Sequence, residues 1–173
     1  MAARRKKTAA VKKPRVYLEH AEQCALMNWA AMKHFTHQVP DGRTIQLCLR
    51  DLFEASLNGA QLRGGKVQRV IQWREAEAAG AMKSASDLTL FYPVGVWHGM
   101  KIEMKKQRKD FPNPSSIRKA MKPGQAVHLH LMTRLGYHSI FCFGWVEAAN
   151  AVSEYMGWPI PFNAAKFKTR FNH

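Results

Sequence analysis

A chain of 173 residues, 46% hydrophobic and 23% charged, has the size and composition of one folded domain with its own core. No apolar run approaches the ~20 residues that span a bilayer, and Cys24, Cys48 and Cys142 are too few and too scattered for a disulfide framework or a paired-cysteine zinc site. Against 12 Asp and Glu stand 27 Lys and Arg, a net charge of +15; this points to a polyanionic partner, because each cation near a phosphate releases condensed counterions.

The excess is heaviest at the start, where Arg4, Arg5, Lys6, Lys7, Lys12, Lys13 and Arg15 meet no acidic residue. Residues 1–15 read as a basic disordered arm, serving either nucleic acid or only solvation. No apolar stretch follows them, so they do not read as a secretory signal, and a cytoplasmic protein is expected. Residues 17–33 repeat apolar side chains at helical spacing (Leu18, Ala21, Ala25, Leu26, Trp29, Met32). Residues 35–50 show no clear period but contain a turn at Pro40, Asp41 and Gly42. A short strand or loop over 52–57 leads to the turn Asn58-Gly59. A helix is predicted over 67–79, stopped by Gly80.

The period then changes. Residues 88–92 are compact, apolar and β-rich, residues 93–95 turn the chain, and residues 96–104 end in alternation. Met100, Ile102 and Met104 fall on one side, Lys101, Glu103 and Lys105 on the other. The two strands form a β-hairpin. A basic loop over 105–114 follows, then a helix capped by Ser115 or Ser116. The main helix of this region runs over 123–135 to Gly136. A buried strand over 137–143 and a helix over 145–156 complete a domain expected to span 16–156. Residues 157–173 read as an extended basic and aromatic tail, with Trp158 and Phe162 available to pack on a partner subunit. His128 and His130, two apart on a helix, do not share a face and read as surface or core residues. The order of elements suits a small α/β domain with a mixed central sheet flanked by helices.

Within this pattern Asp87 opens one strand of the hairpin, and Glu103 and Lys105 share a face near the end of the other. The two carboxylates can converge on one Mg²⁺ or Mn²⁺, a hard cation that takes oxygen ligands. Such a cation polarises a phosphodiester and activates water, and Lys105 would orient that water or stabilise the developing charge. A solvated strand face reading Glu-x-Lys is the alternative. An acid inside the apolar run Met100 to Met104 is costly to bury, which favours a chemical reason for it. Lys106, Arg108, Lys109, Arg118, Lys119 and Lys122 follow the strand, and Arg63 and Lys66 precede the second helix. They form a candidate nucleic-acid-binding rim, with a solvated basic loop as the alternative. Nothing calls for an organic cofactor.

These motifs, taken in order, resemble the VRR-NUC branch of the PD-(D/E)XK nuclease superfamily in its short stand-alone form from bacteria and phages. Glu19-His20-Ala21-Glu22-Gln23 with Trp29 resembles the family's first helix, and Leu57-Asn58-Gly59 its turn. Ala79-Gly80 followed by Ser86-Asp87-Leu88 resembles the aspartate segment. Gly99-Met100-Lys101-Ile102-Glu103-Met104-Lys105 resembles the catalytic strand. Pro123-Gly124-Gln125, then Leu135-Gly136-Tyr137, and a closing helix over 145–155 complete the likeness, which covers about residues 17–156.

The resemblance implies a restriction-endonuclease-like core and Mg²⁺- or Mn²⁺-dependent hydrolysis of DNA, with Holliday-junction-like or other branched DNA as a candidate substrate. It also implies a homodimer, in a bacterial or phage-infected cell. The family's helix acid falls on Glu19, with Glu22 as the competing choice, its metal-binding pair on Asp87 and Glu103, its lysine on Lys105 and its glutamine on Gln125. Two departures are Ser86, where Gly or Pro often stands, and a longer insertion over 34–52. A basic DNA-binding protein without catalysis is the alternative function.

Overall fold

Alternation in one strand sets the layering of the fold. The computed structural model describes residues 18–56, 65–82 and 84–163. Both basic ends, Asn58-Gly59 and Arg63 lie outside the described residues. Strand β5 (Gly99–Lys105) pairs antiparallel with β4 (Leu88–Leu90) and parallel with β6 (Tyr137–Phe143), while β3 (Phe53–Ala55) extends the sheet antiparallel beyond β4. The mixed four-stranded sheet therefore has the order β3-β4-β5-β6.

Met100, Ile102 and Met104 point from β5 into a fully buried core. They meet Leu26, Trp29 and Ala30 of α1 (Leu18–Ala31) and Ala148, Ala149 and Val152 of α5 (Trp145–Tyr155). Helix α4 (Pro123–Arg134) covers the opposite face above β5 and β6. Three layers result: α1 and α5, the sheet, and α4. Among the described residues no helix is long and apolar enough to cross a membrane.

Helix ends follow local chemistry. Helix α2 (Lys66–Ala78) gives way to Gly80 at φ +98°, and α4 ends before Gly136 at φ +86°, a region that L side chains rarely adopt. Helix α3 (Pro114–Ala120) is capped by Asn113, whose Oδ1 accepts from Ser116 N at 2.9 Å. The cap expected at Ser115 or Ser116 thus falls one residue before the proline, which occupies the first helical position.

Three further features differ from the sequence pattern. Residues expected to be irregular form a second sheet, β1 (His34–Gln38) and β2 (Thr44–Cys48), folded back at Asp41, where Arg43 N donates to Asp41 Oδ1 at 3.0 Å. The β4–β5 connection is longer than a tight turn: β4 stops at Leu90, β5 starts at Gly99, and a small bridge joins Val94 to Trp97 between them. Residues 157–163, expected to form an extended tail, turn back onto the domain. Trp158 packs edge-on against Phe35 and Phe162 against Trp145, while the Asn150 amide holds the Phe162 backbone at 2.9 and 3.2 Å.

Candidate active site

The antiparallel register that pairs Leu88 with Ile102 continues one step to set Asp87 opposite Glu103. Residues directly opposite share a face, so both acidic side chains project to the side covered by α4, at the end of β5. Asp87 Oδ2 accepts from Met104 N at 2.8 Å, fixing its carboxyl against the strand. Lys105, two residues beyond Glu103, returns to the same face and donates from Nζ to Glu103 Oε1 at 2.6 Å. Gln125, in the first turn of α4, completes the group: its Nε2 donates to Glu103 Oε1, and its Oε1 accepts from Lys105 Nζ at 3.2 Å.

Lys105 and Glu103 are buried, their side chains only 6% and 1% exposed, while Asp87 and Gln125 are half-buried at the edge of the cluster. Burial, then the neighbouring Asp87 charge, pushes the Glu103 carboxyl up to about 7, despite the opposing pull of Lys105. Burial likewise raises Asp87, opposed by the Met104 N–H and by the Lys105 and Lys122 charges. Glu103 Oε1 receives two donors, whereas Glu103 Oε2 is buried without any. An acceptor left bare beside a second carboxylate is costly. A hard divalent cation between the two acids would relieve both the repulsion and the missing donor, and two carboxylates are a fitting oxygen set for Mg²⁺ or Mn²⁺. The residues present therefore fit such an ion. Among the described residues no group of three or more His, Cys, Asp or Glu side chains is arranged to hold a metal, so the centre is a pair of acids.

Neither helix acid shares a hydrogen bond with this pair. Glu19 is exposed in the first turn of α1. Glu22, one turn on, is 9% exposed and serves another element. Its Oε2 accepts from Trp145 N at 2.8 Å and its Oε1 from Gln107 Nε2 at 2.8 Å. It thereby caps α5, whose own cap residue is Gly144 and supplies no side chain.

The basic rim divides. Arg108 forms a two-pronged ion pair with Glu147 at 3.0 and 3.1 Å and lies over the Phe143 ring, and Lys106 donates to Asp110 O at 2.6 Å. Lys66, Lys109, Arg118, Lys119 and Lys122 are exposed, and Lys122 is close enough to act on the Asp87 charge. Sequence reasoning set Lys101 on the active face but gave it no role. The structure surrounds it with Thr89, Tyr137, Phe91 and His128. His128 is buried, and its pKa is lowered by burial and by Lys101.

Comparison with known proteins bears on the fold. No family model and no curated protein sequence matches the chain. A solved structure described as a "VRR_NUC domain protein" aligns with a TM-score of 0.58 over 83% of this chain and 91% of that one, at 19% identity. The chain therefore has the fold of a VRR_NUC domain, the one its motifs resemble.

Proposed function

We propose that the protein is a Mg²⁺- or Mn²⁺-dependent nuclease that hydrolyses phosphodiester bonds in DNA. The observation that carries this reading is the Asp87–Glu103 pair, its Glu103 fully buried with one bare carboxylate oxygen, beside the Lys105 ammonium. Asp87 and Glu103 would hold the cation, which when bound polarises the phosphodiester and makes water more acidic. Lys105, clamped by Glu103 and Gln125, presents an oriented positive charge to the oxygen on which negative charge develops, or to the attacking water. Gln125 fixes both partners at once and so sets their spacing. Exposed Lys66, Lys109, Arg118, Lys119 and Lys122 supply contacts to the DNA backbone, with the net charge of +15 behind them. Glu19, exposed in the first turn of α1, is given no part in this centre. We extend the proposal to branched substrates such as Holliday junctions, cut by a homodimer whose two-fold symmetry would pair the incisions.

The test is incubation with Mg²⁺ or Mn²⁺ and labelled linear, flapped and four-way DNA. The native protein should cut at least one of these, and Glu103→Ala should abolish cutting while retaining binding in Ca²⁺. Cleavage that survives Glu103→Ala removes the assignment. Binding without any cleavage by the native protein makes it a non-catalytic basic DNA-binding protein.

A further inference from the structure

The polar face of the sheet continues past Glu103. Two residues back along β5, about 6.8 Å by strand geometry, Lys101 projects to the same side. Its Nζ donates to Thr89 Oγ1 at 2.8 Å and lies 5.1 Å from the centre of the Tyr137 ring and 5.9 Å from that of Phe91. Among the described residues no carboxylate forms an ion pair with it; Glu54 acts on it only from farther off. Phe91 follows β4 directly and is 50% exposed. Asp87, Thr89 and Phe91 therefore run along one face beside Glu103 and Lys101, so that the acid pair, a cation and an open aromatic ring succeed one another in a line.

A half-exposed phenyl ring adds little to a core. A strand of nucleic acid uses this combination well, since a ring accepts the face of any base and an adjacent ammonium meets a phosphate. We propose that Phe91 and Lys101 form a subsite for the nucleotide next to the scissile phosphate, the ring stacking on the base and the ammonium meeting its phosphate. This rests on the nuclease reading and deepens it: the enzyme would grip one flanking nucleotide without regard to base identity.

The experiment uses the full chain in Ca²⁺ with DNA oligonucleotides carrying 2-aminopurine at successive positions around the mapped cut. Fluorescence should be quenched at one position, within a nucleotide or two of the cut, by the native protein and by Phe91→Trp. Phe91→Leu should lose that quenching and, with Mg²⁺, raise KM about tenfold, the scale of one stacked base, with a smaller change in kcat. Lys101→Met should raise KM and lower the salt dependence of binding by about one ion. If Phe91→Leu quenches like the native protein while the native protein still cuts, the subsite is overturned and the nuclease reading stands. A native protein that neither binds nor cuts any oligonucleotide overturns both.

Discussion

Glu103→Gln should make the metal-free protein more stable while removing its activity. The side chain is 1% exposed and faces Asp87, and its carboxyl is raised from an ordinary 4.5 to about 7. A raised folded-state value means that the fold prefers the protonated form. The associated stability is present below about pH 4.5 and is lost as pH rises through about 7. A shift of that size corresponds to about 3 kcal/mol by pH 8. Glutamine is the neutral isostere: it keeps an oxygen for Lys105 and removes the repulsion with Asp87. Thermal unfolding in EDTA should show the variant melting above the native protein by several degrees at pH 8, at roughly 2–4 °C per kcal/mol for a domain of this size. The gap should close toward pH 4. Mn²⁺ should raise the melting temperature of the native protein at pH 8 more than that of the variant. A variant that melts lower at pH 8, or a gap that ignores pH, would show that Glu103 is not a strained carboxylate, and the physical case for a cation there would fail.

Because protons compete with the cation for Glu103, the affinity for Mn²⁺ measured by titration calorimetry should climb by up to about tenfold per pH unit below 7 and level off above it. Glu22→Ala leaves Trp145 N and Gln107 Nε2 without their acceptor, and should cost about 1–3 kcal/mol in urea unfolding, whereas exposed Glu19→Ala should cost almost nothing and retain most of the cleavage. Gly136→Ala forces a side chain to φ +86° and sets its Cβ 2.6 Å from the His98 ring; the urea midpoint should fall by the equivalent of about 1–3 kcal/mol with an unchanged slope.

Local signals carried much of the architecture into the sequence. The alternation of residues 100–105 identified both the core face and the polar face, and Gly80 and Gly136 marked where helices must end. The β1–β2 hairpin escaped because its strands alternate only weakly: Phe35 and His37 are half-buried between exposed neighbours, too slight a contrast for a period. Asn113 was legible in principle, since a residue before a helix-opening proline is the natural cap. The depth of Glu103 was not legible, because α4 supplies its cover and Gln125 joins it from 22 positions away; only family resemblance singled out that glutamine. The pairing of Arg108 with Glu147 spans 39 positions, and no local pattern announces which surface cations are already engaged. The helix acids divide for the same reason: what occupies Glu22 lies 85 and 123 positions further along.

The bond from Glu22 to the first turn of α5 has a consequence for synthesis. Leu26, Trp29 and Ala30 of α1 meet β5 first, and their cover is complete only when α5 has been made, more than a hundred residues later. At translation rates of about 5–20 residues per second, the first helix leaves the ribosome some ten seconds before its neighbour exists. Its oily side must be shielded meanwhile, by chaperones or by collapse onto the growing sheet, and tertiary closure waits for the arrival of α5.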